Sequence, residues 1–197
     1  MSGKVYLVGA GPGDVELLTM KAVRLLRTAD AVLYDALVSE EILDLARPSA
    51  QMIDVGKRAG DHRLTQAEIN RAMVEAAQWA NVVVRLKGGD PLIFGRLTEE
   101  MAALRIADID FEIVPGITAA LAAAADARIP LTDRASSSQI VLMTAHKAKG
   151  RGGADFRHLA GLDRTIAIYM PGGHYREIAE EMMAGGLAAD TPCLVVS

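Results

Sequence analysis

The first half of the chain alternates short apolar runs with glycine-rich or charged breaks. Val5-Tyr6-Leu7-Val8 is closed by glycines, and Leu17, Leu18, Met20, Ala22, Val23, Leu25 and Leu26 follow mainly at helical spacing, which predicts strand, glycine loop and helix. Ala31-Val32-Leu33-Tyr34 predicts a second strand ending at Asp35, and residues 51–55 a third ending at Gly56. Between them Ser39 stands where it can cap a short helix, with Glu40 and Glu41 in the first turn complementing the helix dipole. Thr65 followed three residues later by Glu68 is a capping-box signature, and Ile69, Ala72, Met73, Ala76 and Ala77 form the apolar stripe behind it. Val82-Val83-Val84-Arg85-Leu86 predicts a strand ending at Gly88-Gly89-Asp90. A helix over 99–107 and a strand over 111–114 come next, stopped by Pro115-Gly116.

Pro115-Gly116 is the predicted domain boundary, giving domains 1–114 and 115–197. The second contains an Ala-rich helix over 117–127, strands over 139–144, 165–170 and 192–196, a Gly- and Lys-rich loop over 147–153 and a helix over 175–184. There is no internal repeat. The chain stops on the apolar run Cys193-Leu194-Val195-Val196, from which a C-terminally short second domain is expected. Buried strands alternating with helices predict an α/β fold: a mainly parallel, doubly wound sheet in the first domain and a smaller α/β second domain.

Composition narrows the function classes. A chain of 197 residues with 51% hydrophobic content can bury a substantial core. Its formal net charge of -4 gives no global attraction to nucleic acid or a membrane surface, so an anionic ligand must meet a local basic cluster. Cys193 is the only cysteine, which excludes an internal disulfide or a cysteine metal cluster and suits a reducing, cytoplasmic compartment. The apolar stretch 117–125 is too short to span a bilayer. His62, His146, His158 and His174 have no partners at ligand spacing, so no metal is expected.

In a parallel sheet the ligand lies beyond the carboxyl ends of the strands. The residues there are Gly9-Ala10-Gly11-Pro12-Gly13-Asp14, Asp35, Gly56-Lys57-Arg58 and Gly88-Gly89-Asp90-Pro91. The first loop and Asp35 admit a dinucleotide reading. Against it, Asp14 would place an anion at the helix start where a pyrophosphate needs bare N–H groups. A cationic ligand without phosphate suits these carboxylates better.

Val8-Gly9-Ala10-Gly11-Pro12-Gly13-Asp14, Tyr34-Asp35, Val55-Gly56-Lys57-Arg58-Ala59-Gly60, Val84-Arg85-Leu86-Lys87-Gly88-Gly89-Asp90-Pro91, Phe94-Gly95-Arg96 and Val114-Pro115-Gly116-Ile117-Thr118 resemble the tetrapyrrole methylase family, in order along nearly the whole chain. Within it they are most similar to the uroporphyrinogen-III C-methyltransferases. The resemblance implies two α/β domains, usually in a homodimer, with S-adenosyl-L-methionine as cofactor and S-adenosyl-L-homocysteine as product. It implies methylation of uroporphyrinogen III to precorrin-2 through precorrin-1, on the way to sirohaem or cobalamin. Carried over by position, Pro12, Gly88, Gly89, Asp90, Ile93, Thr118, Ala119 and Met170 would contact the cofactor; Asp35 would accept a proton and Lys57 donate one.

The substrate is a polycarboxylate, and Arg58, Arg85, Lys87, Arg96 and Arg134, with Lys57, are the cations near strand ends that would face it. The chain departs from the family pattern at Ala36 (usually Arg), Leu97-Thr98 (usually Gly-Gly), Asp133 (commonly His), Ala145 and Pro171 (both Gly). The first two touch the substrate side. Alternatives are a methylase of another precorrin, a nicotinamide-dependent oxidoreductase and a non-catalytic cofactor-binding protein.

Overall fold

The computed structural model describes residues 2–56, 64–134, 137–145, 156–159 and 163–196. The chain divides into two compact units, Met1–Ala119 and Ala120–Ser197. In the first, β1 (Lys4–Gly9), β2 (Ala31–Tyr34), β3 (Gln51–Asp54), β4 (Val82–Lys87) and β5 (Phe111–Val114) form one sheet in the order β3-β2-β4-β1-β5. Every pairing is parallel, so all five carboxyl ends share one edge.

Side chains alternate faces along a strand, and both faces are covered. Val5, Leu7, Leu33 and Val83 pack on one side under α3 (Gln66–Trp79) and α4 (Leu97–Ile106), meeting Ile69, Met73, Ala76, Ala77 and Leu104. Val8, Val32, Val84 and Leu86 pack on the other under α1 (Met20–Thr28) and α2 (Glu40–Leu43), meeting Ala22, Leu25, Leu26 and Ile42. The expected doubly wound arrangement is present. The capping box at α3 is also present: Glu68 N–H donates to Thr65 Oγ1 and Thr65 N–H to Glu68 Oε2.

Two local expectations change in this unit. The helix expected over 17–26 is two pieces: a 3₁₀ turn, Val15–Leu17, capped by Asp14, then α1, whose first turn is capped by Thr19 Oγ1 accepting from Ala22 N–H at 3.1 Å. Two capping side chains five positions apart explain the break. Ser39 precedes α2 but makes no side-chain cap; its Oγ donates to the Gly13 carbonyl at 3.0 Å, tying the loop after β2 to the loop after β1.

In the second unit β6 (Gln139–Thr144) pairs in parallel with β7 (Arg164–Tyr169). Phe156 makes a small core with Ile178 and Met182 of α6 (Tyr175–Ala184) and with Ile166 and Ile168 of β7. The Ala-rich segment begins α5 (Ala119–Asp126). The third expected strand is absent: 192–196 adopts no strand, and Leu194, Val195 and Val196 are exposed. A β-branched apolar run becomes a strand only where a neighbour takes up its backbone hydrogen bonds, and no described residue does so here.

Candidate active site

At the carboxyl edge of the first unit the loops after β1, β4 and β5 meet through backbone. Gly11 and Gly89 exchange hydrogen bonds, N–H to carbonyl, at 3.1 and 2.7 Å. Gly89 has φ +66°, a left-handed conformation that side chains resist. A Cβ at Gly9 would lie 2.6 Å from the Gly89 carbonyl oxygen, and one at Gly116 only 2.4 Å from it, so the three strands' ends close on each other only because these positions lack side chains. Asp90 locks the arrangement. Its Oδ1 accepts from Leu92 N–H at 2.7 Å and its Oδ2 from Gly116 N–H at 3.0 Å.

This cradle fits a cofactor without phosphate. Two of the helix-start N–H groups a phosphate would use are already met, Glu16 N–H by Asp14 at 2.8 Å and Ala22 N–H by Thr19. Asp14 would repel an anion and tolerate a cation.

Beside the cradle stands a cluster of buried charge. Arg85 and Lys87 project from β4 on the same face, and Glu100, in the first turn of α4, is fully buried against them. Glu100 Oε1 accepts from Arg85 Nε and from Lys87 Nζ, both at 3.0 Å. Arg85 Nη1 donates to the Leu86 carbonyl at 3.1 Å, and Nη2 to Oδ1 of Asp35 at 2.6 Å, just past the end of β2. Burial pushes the Lys87 ammonium below the usual lysine range and the Arg85 charge pushes the same way, against the pull of Glu100. Gly95 approaches this lysine closely: a Cβ there would lie 3.2 Å from Lys87 Cε and 2.6 Å from the Pro91 carbonyl oxygen.

The structure therefore separates the expected residues into groups. Gly88, Gly89 and Asp90 are joined to Thr118 and Ala119 through the close approach of Gly89 to that turn. Pro12 is exposed in its loop and Ile93, half-buried, donates its N–H to the Asp90 carbonyl at 3.2 Å. Met170, in the second unit, is half-exposed with φ 53°. Lys57 and Arg58 lie outside the described residues.

The expectation that Arg85 and Lys87 present a free basic face needs correcting: they are 2% and 5% exposed and held by carboxylates. Arg96 and Arg134 are exposed, Arg96 pairing with Glu99 at 2.8 Å. Arg96, Leu97 and Thr98 line an open depression of about 370 Å³ with Phe94 and Met101, although Leu97 turns into the core. Sequence reading passed over Glu100. The signal was its spacing: Leu97, Glu100 and Leu104 fall on one helical stripe, so the carboxylate occupies a core-facing position that demands a buried cation.

Comparison with known proteins agrees with this geometry. The family model for Tetrapyrrole (Corrin/Porphyrin) Methylases matches residues 4–197. The chain is 50% identical over 196 residues, 98% of its length and 77% of the relative's, to an S-adenosyl-L-methionine-dependent uroporphyrinogen III methyltransferase of Methanosarcina barkeri. It is likewise 50% identical to Siroheme synthase 1 of Serratia proteamaculans, covering 99% of this chain and 41% of that protein, so it spans about two fifths of that longer relative. The crystal structure of uroporphyrin-III C-methyl transferase from Thermus thermophilus complexed with S-adenyl homocysteine superposes with a TM-score of 0.80 at 42% identity, covering 94% of this chain and 78% of that one. The chain belongs to the tetrapyrrole (corrin/porphyrin) methylases.

Proposed function

We propose that this protein transfers methyl groups from S-adenosyl-L-methionine to pyrrole carbons of uroporphyrinogen III, giving precorrin-2 through precorrin-1. The observation that carries the reading is Asp35, an acid partly open to solvent, held beside a glycine cradle suited to a phosphate-free cofactor. The likeness to proteins named for that reaction supports it. The cofactor supplies a methyl group already activated on a sulfonium sulfur. Pro12, Gly88, Gly89, Asp90, Ile93, Thr118, Ala119 and Met170 are assigned to hold it. A macrocycle that gains a methyl cation carries one extra positive charge, and loss of one proton discharges it. Asp35 is the base for that proton, and Lys57 is the acid in a tautomerisation that delivers one proton to the macrocycle as another leaves it, so that the net loss stays at one proton. Arg58, Arg96 and Arg134 are assigned to the substrate carboxylates.

A homodimer and a cytoplasmic setting complete the reading; the former rests on family resemblance, and light scattering tests it. Among the described residues no helix is long and apolar enough to cross a membrane.

The test is direct. Uroporphyrinogen III incubated with the protein and S-adenosyl-L-methionine should yield dimethylated product by mass spectrometry, and Asp35→Ala and Lys57→Ala should each lower turnover far more than cofactor affinity. Binding of NAD in place of S-adenosyl-L-homocysteine in calorimetric titration would overturn the reading.

A further inference from the structure

The buried cluster around Glu100 does more than neutralise itself. All three nitrogens of the Arg85 guanidinium are engaged, on Glu100, on the Leu86 carbonyl and on Asp35. Guanidinium is planar and its donors form a rigid fork, so these three bonds leave it a single orientation. Glu100 is held in turn, its Oε1 also taking Lys87 at 3.0 Å and Gln66 Nε2 at 3.4 Å. The last link is Asp35. Its Oδ1 is occupied by Arg85, its side chain is 28% exposed, and among the described residues no hydrogen bond falls on Oδ2.

We propose that Arg85, anchored by Glu100, is the positioning residue for Asp35: it holds Oδ1 so that Oδ2 is the oxygen presented to the substrate proton. The proposal rests on the proton-acceptor role for Asp35 given above. Arg85 touches no substrate and acts through Asp35 alone. The buried charges are of matching sign and number, two cations against two carboxylates, so the fork can be desolvated without leaving a charge unpaired. Lysine at this position keeps the charge but lacks the fork: one ammonium cannot meet Glu100, the Leu86 carbonyl and Asp35 in the same plane.

The experiment is a double-mutant cycle on steady-state kinetics with uroporphyrinogen III and S-adenosyl-L-methionine, using Arg85→Lys, Arg85→Gln, Asp35→Asn and the double variant Arg85→Gln/Asp35→Asn. Each Arg85 variant should lose about tenfold or more in kcat, the scale of a misplaced catalytic group, with KM and cofactor Kd changed about twofold or less. Arg85→Lys should not rescue. In the Asp35→Asn background the loss of Arg85 should cost nothing further, because a residue that acts through another has no effect once that other is gone. A purely structural role predicts losses that multiply, and that result overturns the proposal, as does an Arg85→Lys variant with full kcat. Should Arg85→Gln fail to fold, Glu100→Gln takes its place in the cycle: it keeps the shape and an acceptor while releasing the anchor, and must show the same dependence on Asp35. A wild-type protein that binds cofactor but methylates no uroporphyrinogen overturns the functional reading itself, and is told apart from the other failures by the wild-type rate.

Discussion

Asp90 Oδ2 accepts the Gly116 N–H at 3.0 Å, so one carboxylate joins the loop after β4 to the loop after β5 while its other oxygen closes the β4 loop on Leu92. Hydrogen bonds to an ionised acceptor are each worth about 1.5–3 kcal/mol. Asp90→Ala removes two of them and should lower stability by about 3–6 kcal/mol, a larger loss in Tm than a matched Asp44→Ala control shows, and should weaken S-adenosyl-L-homocysteine binding, which Asp44→Ala should leave unchanged. Asp90→Asn, which keeps one acceptor, should fall between. Calorimetry on the three variants checks the order.

Gly116→Ala tests the cradle from the other side. The added Cβ meets the Gly89 carbonyl oxygen at 2.4 Å and the Gly9 Cα at 3.0 Å, backbone that cannot step aside. Overpacking of this kind costs about 1–3 kcal/mol. The variant should lose cofactor binding while retaining most of its far-ultraviolet circular dichroism. Gly173→Ala, where a Cβ meets nothing within 4 Å, should be silent.

Substrate affinity should weaken with salt, because Arg96 and Arg134 are exposed and the screening length falls from about 10 Å at 0.1 M to about 3 Å at 1 M. Arg96→Gln should raise KM for uroporphyrinogen III several-fold at low salt and much less at high salt. The exposed Arg96–Glu99 pair contributes little to stability, so Tm should stay within the scatter of surface variants. A KM that does not respond to ionic strength would argue against a basic substrate face.

Asp30 sets an acid limit on the fold. Its carboxylate accepts the Val82 and Asn81 N–H groups at 2.8 and 2.9 Å and pairs with Arg47. These contacts, the Val82 bond foremost, hold its carboxyl below the usual range. The unfolded chain therefore takes up the proton first. The stabilisation is complete above about pH 4 and is lost as pH falls through the lowered value. Asp30→Asn should be less stable at pH 7, and its deficit against wild type should shrink as pH falls below about 4 in urea titrations. A deficit that is constant with pH would assign the effect to packing.

Much of the framework was legible in the chain. The short apolar runs closed by glycine or charge located the five strands of the sheet, the capping box of Thr65 and Glu68 marked the start of α3 within a residue, and Gly88-Gly89-Asp90 pointed to the loop that carries the cradle. The failures have non-local causes. Ser39 satisfies a partner in another loop instead of its own helix, and 192–196 finds no strand to pair with among the described residues. Neither outcome is encoded within a few residues of the site concerned.

What the sequence determined by itself is the parallel α/β alternation, the glycines at strand ends and the acid at position 35, because periodicity and backbone sterics act over a few residues. What only the tertiary structure decided is the use of the charges. Arg85 and Lys87 read as surface cations until α4 brings Glu100 onto them and β2 brings Asp35 within 2.6 Å, contacts separated by 13 to 50 positions along the chain. The physical reason is that a charge is exposed or buried according to what folds over it, and sequence neighbours of Arg85 are strand residues that say nothing of the helix that will cover it.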